Sequence, residues 1–128
     1  MKTVINIKAT ILILVMVCSL ISCNKFYSNR KLIGRYYLQH NKFGKSICYR
    51  VDDDGNCVEL VNGAFGKIGF DDNYIIVERS KNEYLIIIIY KQINYFPEKG
   101  ILGPFNLKDF NKQKTTLNIK ADFNIDTN

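Results

Sequence analysis

Histidine is nearly absent: His40 is the only one in 128 residues. A histidine-rich zinc site is therefore excluded, and no serine or cysteine nucleophile is marked beside it in the sequence. Long apolar runs are missing too. The longest, Ala9 to Ile21, spans thirteen residues and is broken by Thr10 and Ser19, whereas a helix crossing a bilayer needs about 20. Lys and Arg outnumber Asp and Glu by 18 to 12, yet no basic run exceeds Arg30-Lys31. Scattered charge of this kind lacks the concentrated patch of a nucleic-acid binder.

Two familiar motifs also fail for want of particular residues. Asp52-Asp53-Asp54-Gly55-Asn56 invites a calcium-loop reading, but alignment on Gly55 puts Arg50 and Val61 where the first and last acidic ligands belong. Gly63, Gly66 and Gly69 recur every third residue with Lys67 among them. Ile68 follows that lysine, where a phosphate loop requires Ser or Thr. Turns and a bulge are the expected roles of these glycines. No metal and no cofactor is implied.

What is present begins with an address. Residues 1–8 carry Lys2 and Lys8 as their only charges, the short apolar core follows, and a small residue, Ser22, precedes Cys23. A basic start, a short apolar helix and a small residue at a boundary describe a secretory signal peptide. Leu20-Ile21-Ser22-Cys23 resembles the lipobox of bacterial lipoprotein precursors: an aliphatic residue, a tolerant position, a small residue, then cysteine. The resemblance implies a diacylglyceryl group on the Cys23 sulfur and cleavage between Ser22 and Cys23. Cys18 fails the same test because Val17 precedes it. Asn24, rather than Asp, follows the lipobox cysteine, so the inner-membrane retention signal of enteric bacteria is missing. Since two or more acyl chains hold stably on a bilayer, the expectation is a membrane-anchored envelope lipoprotein with no spanning helix.

The expected organisation is a signal peptide at residues 1–22, a lipidated cysteine and short tether at 23–31, and one β-rich domain at 32–128. Loss of residues 1–22 lowers the formal charge from +6 to +4. A flexible tether of this length reaches about 15 Å, which keeps the domain near the bilayer.

In the domain, residues 34–38, 46–51, 57–61, 67–70, 74–79 and 84–91 are rich in Ile, Val, Tyr and Phe, with turn residues between them. Such short connections favour antiparallel hairpins. Tyr84–Tyr90, YLIIIIY, has no polar residue on either parity and predicts an interior strand covered on both faces. One short C-terminal helix is expected over 106–114, with Asn106 as cap, Asp109 three residues on, and Leu107 and Phe110 on one face. A last strand is expected over 116–123. The fold class is mainly β (α+β): an antiparallel sheet of about six or seven strands with one C-terminal helix, preceded by the signal-peptide helix. Residues 74–79, 84–90 and the stretch Gly103-Pro104-Phe105-Asn106-Leu107-Lys108-Asp109-Phe110 resemble small uncharacterised bacterial lipoproteins. In those, a strand pair is followed by Gly-Pro and a short helix ending on Phe. The resemblance implies no activity.

Cys48 and Cys57 are a candidate disulfide in a compartment that permits one. A tight turn at Asp54-Gly55 would pair Val51 with Val58, Arg50 with Glu59 and Tyr49 with Leu60, leaving the two sulfurs too far apart. A longer loop would bring them together, and both registers stay open. Tyr95 and Phe96, in the irregular stretch 92–105, are a candidate partner surface, although folding back onto the core is the alternative. His40 beside Asn41, in an expected loop, and the acidic pair Asp71-Asp72 are the residues an enzyme would use. The leading expectation is a non-enzymatic, lipid-anchored envelope protein that binds another protein or an envelope component. The alternative is an envelope hydrolase or other lipid-anchored enzyme.

Overall fold

A computed structural model describes residues 28–41, 44–63, 65–80 and 82–128. The expected signal-peptide helix of residues 1–22, Cys23 and the expected tether residues 24–27 lie outside the described residues. The elements run β1 (Ser28–Ile33), β2 (Tyr36–Asn41), β3 (Gly44–Arg50), β4 (Cys57–Gly63), β5 (Lys67–Phe70), β6 (Tyr74–Ser80) and β7 (Glu83–Ile88). A 3-10 turn (Pro97–Gly100), β8 (Ile101–Phe105), α1 (Leu107–Thr116) and β9 (Ile125–Asp126) follow.

The chain is mainly β, but its strands form two antiparallel sheets rather than the single sheet expected. The first has the order β1-β2-β3-β4 and the second β8-β7-β6-β5-β9. Two of the additional strands were hidden for identifiable reasons. β1 includes Ser28–Lys31, which the sequence reading placed in the tether. Its Arg30 and Lys31 are exposed on an edge, where charge deters pairing with other chains and also obscures the strand pattern. β8 contains Pro104, a residue tolerated only on an edge strand because it cannot donate to a ladder.

Alternation then sorts the apolar residues into two cores. Leu32, Tyr36, Ile47, Tyr49 and Val61 of the first sheet face Ile68, Ile75, Val77, Leu85 and Ile87 of the second. On the opposite face of the second sheet, Ile76 and Ile86 pack with Phe110, Ile119 and Ala121. The result is three layers: sheet, sheet, then α1 with the segment that follows it. β7 is thus an interior strand covered on both faces. Ile86 and Ile87 are both fully buried, whereas Ile88, at the strand end, is only half-buried.

Asn106 caps α1, accepting a bond from the Asp109 N–H at 2.8 Å, and Asn82 Oδ1 accepts from the Leu107 N–H at 2.8 Å. Two of the orphan donors at the helix start are thereby satisfied. Phe110 is the only buried residue of α1. It stacks on Tyr84 at 4.8 Å between ring centroids and lies 5.8 Å from Phe123. Leu107, expected on the same buried face, is instead 48% exposed, because the helix touches the sheet mainly through Phe110.

The strand expected over 116–123 is not formed. Thr116 ends α1, and 117–124 cross the outer face of the second sheet without joining its ladder. Ile119 and Ala121 are buried there, so the alternation that looked like a strand comes from lying on a sheet rather than in one. Only Ile125–Asp126 pair, with Ile68 and Lys67 of β5.

The β3–β4 hairpin does not use the two-residue turn at Asp54-Gly55. The ladder ends at Arg50↔Cys57, with Tyr49 opposite Val58 and Cys48 opposite Glu59, and Val51 N–H donates to Asn56 O at 3.1 Å. The cause is Asp52. Its Oδ1 accepts from the backbone N–H groups of Asp54 (3.0 Å) and Asn56 (3.2 Å), and its Oδ2 from Asn56 Nδ2 (2.7 Å). A carboxylate wrapped by its own turn lengthens the loop and slides the register. It also holds the Asp52 carboxyl below its usual range, chiefly through Asn56.

Candidate functional site

The shifted register puts Cys48 and Cys57 on one face as diagonal neighbours, with Cα atoms 5.6 Å apart, and they form a disulfide. The bridge is a structural clasp across β3 and β4. Cys48 is fully buried, which sets it apart from exposed, reactive thiols.

Tyr95 and Phe96 are 74% and 59% exposed, and Ile93 beside them is 49% exposed. Three large apolar side chains thus stand in solvent on one short loop between β7 and the 3-10 turn. Farther along, Ile101, Leu102 and Phe105 turn inward in β8.

That loop is held by two buried tyrosines of the first sheet. The Tyr36 hydroxyl donates to Ile88 O (3.0 Å) and accepts from the Tyr90 N–H (3.0 Å). The Tyr49 hydroxyl donates to Gln92 O (3.4 Å) and accepts from the Asn94 N–H (2.9 Å). The rings meet edge to face at 5.1 Å. Each phenol fills both roles of its hydroxyl, and together they give the backbone beyond β7 the partners that a strand would supply. Burial raises the Tyr36 phenol above its usual value, against the lowering effect of the Tyr90 N–H, so its donating proton is retained at neutral pH. Farther along, Asn94 Oδ1 accepts from the Phe96 N–H at 2.8 Å, Pro97 is buried, and Lys99 Nζ lies 5.1 Å from the Phe96 ring centroid. The loop is therefore exposed in its side chains and fixed in its backbone. Sequence reasoning named Tyr95 and Phe96 but missed Tyr36 and Tyr49. A tyrosine in a core-facing parity is a signal for them, because a buried hydroxyl needs a partner.

The residues an enzyme would use do not converge. His40 is exposed in β2 rather than in a loop, pairing across to Ser28 and Lys45. Asp71 Oδ1 accepts from the N–H groups of Asn73 and Tyr74, each at 2.8 Å, and its Oδ2 from Lys120 N–H at 2.9 Å. It clips the segment after α1 onto the β5–β6 turn. Partial burial pushes the Asp71 carboxyl up, but the backbone N–H groups of Asn73, Lys120, Tyr74 and Ala121 outweigh it and hold it below the usual range. Asp72 is exposed.

No helix among the described residues is long and apolar enough to cross a membrane. No protein-family model, no curated protein and no solved structure matches this chain.

Proposed function

We propose that this chain is a bacterial envelope lipoprotein, anchored through Cys23 on the extracytoplasmic side of a membrane, whose domain binds another protein through Ile93, Tyr95 and Phe96. The observation that carries the binding reading is the pairing of exposed apolar side chains with a backbone locked by Tyr36 and Tyr49. A preorganised loop loses little conformational entropy on binding, and aromatic anchors dominate the energetics of protein interfaces. The anchor reading rests on Leu20-Ile21-Ser22-Cys23.

The topology is consistent with both parts. Ser28, the start of β1, pairs at the end of the first sheet that also holds His40, Lys45 and Gly63. Tyr36 and Tyr49, which hold the loop, pair at the other end. At about 3.3 Å per residue, some 17 Å of strand separates the two ends. The aromatic loop is thus held at the end of the first sheet opposite Ser28, which supports reading it as a surface open to a partner.

Two measurements test the proposal. Palmitate labelling is expected to be lost in Cys23→Ser, and equal labelling of the variant refutes the anchor. A photo-crosslinking residue at position 95 is expected to trap a discrete adduct in cells, whereas one at exposed Lys120 does not. Phe96→Ala is expected to reduce that adduct without changing the thermal midpoint. An adduct of equal yield from both positions refutes the binding loop.

A further inference from the structure

The β1–β2 turn and the β3–β4 loop border an open polar hollow of ≈ 250 Å³, apart from the aromatic loop, lined by Gly34, Arg35, Tyr37, Arg50, Asp52 and Asp53. Its size is below the roughly 300–1,000 Å³ of sites for drug-sized ligands, so it fits a small group. Two guanidiniums line it, and both are positioned from behind. Arg50 lies over the Tyr37 ring at 3.9 Å from the centroid. Stacking engages the face of a guanidinium and leaves its N–H edge for a ligand. Arg35 Nη1 donates to Arg50 O (3.3 Å), while Arg50 N–H donates to Arg35 O (2.9 Å). The turn carrying one arginine is thereby pinned to the strand carrying the other.

The rim also carries two carboxylates, and the charge of Asp52 interacts with that of Arg35. The Asp52 carboxylate is taken up by three bonds within its own turn. Asp53 is exposed and can accept a bond from a hydroxyl of a bound group. A rigid guanidinium fork matches planar and tetrahedral oxyanions through paired, charge-assisted bonds. We propose that this hollow binds an oxyanion, carboxylate or phosphate, carried on a small polar group.

The test uses the full-length protein in detergent, titrated with inorganic phosphate or with glucuronate while sodium chloride holds the ionic strength constant. Arginine side-chain N–H resonances are followed by NMR. Saturable shifts at Arg35 and Arg50 are expected. Affinity is expected to fall about tenfold or more in Arg35→Ala and in Arg50→Lys, as for loss of one charge-assisted contact. The tighter of the two probes tells a phosphate ligand from a carboxylate one. Arg35→Ala removes one bond to a carbonyl and is expected to keep the wild-type melting midpoint, so it decides the matter if Arg50→Lys fails to fold. Absence of saturation with both probes, or unchanged affinity in Arg35→Ala, overturns the proposal.

Discussion

Gly69 lies within β5, and a Cβ built on it would sit 1.8 Å from the Asp122 carbonyl oxygen. The chain after α1 crosses the sheet so closely that only hydrogen fits beneath it. Gly66, three residues earlier, would place its Cβ 3.5 Å from the nearest atom, an ordinary contact. Gly69→Ala is therefore expected to destabilise the protein by about 3 kcal/mol or more, at the severe end of overpacking, while Gly66→Ala stays within about 1 kcal/mol. Urea melts of the two variants check the contrast. Their regular spacing made these glycines look equivalent in the sequence. The difference lies in a backbone some fifty residues downstream, which no local pattern encodes.

At the scale of elements, β7 has two covered faces with different owners. Ile87 faces the first sheet and Ile86 faces Phe110 of α1 and the segment after it. An unpaired carboxylate in either place costs several kcal/mol, against a total stability of about 5–15 kcal/mol. Ile86→Asp and Ile87→Asp are each expected to unfold the domain or lower its denaturant midpoint severely. Ile88→Asp is expected to be milder, since this side chain is half-buried at the strand end.

The segment after α1 depends on Asp71 as well as on packing. Because the folded protein depresses the Asp71 pKa, it binds the ionised form. The stabilisation is complete above the unfolded value of about 3.9 and is lost as pH falls through the lower folded value. Asp71→Asn is expected to be less stable at neutral pH and to lose part of the acid dependence of the melting temperature between about pH 5 and pH 2. A wild-type acid profile in the variant would show that Asp71 does not hold the clip.

For the whole molecule, the disulfide closes a loop of sequence separation 9. In the chain-entropy picture a loop of that size stabilises the fold by about 2–3 kcal/mol. Cys48→Ala/Cys57→Ala is expected to shift the urea midpoint accordingly, and wild-type protein under strong reductant to move toward the same value. The bridge joins β3 to β4, and β3 carries Tyr49, which fixes the aromatic loop. Reduced protein is thus also expected to show faster amide exchange at Asn94, a readout that connects the clasp to the candidate binding surface.

Local chemistry determined much of this protein. The hydrophobic run of β7, the capping of α1 by Asn106 and the strand character of β3 to β6 could be read directly, because each depends on neighbours within a few residues. Tertiary structure decided the rest. The hairpin register turned on how Asp52 satisfies its own loop, and with it whether Cys48 and Cys57 could meet. Two sheets rather than one arose because the apolar faces of Tyr36, Ile47 and Tyr49 needed a second surface to bury them. The loop holding Tyr95 and Phe96 was legible as apolar, but not as exposed. That was settled by the hydroxyls of Tyr36 and Tyr49, which take up its backbone polar groups from far away in sequence and free its side chains to face outward.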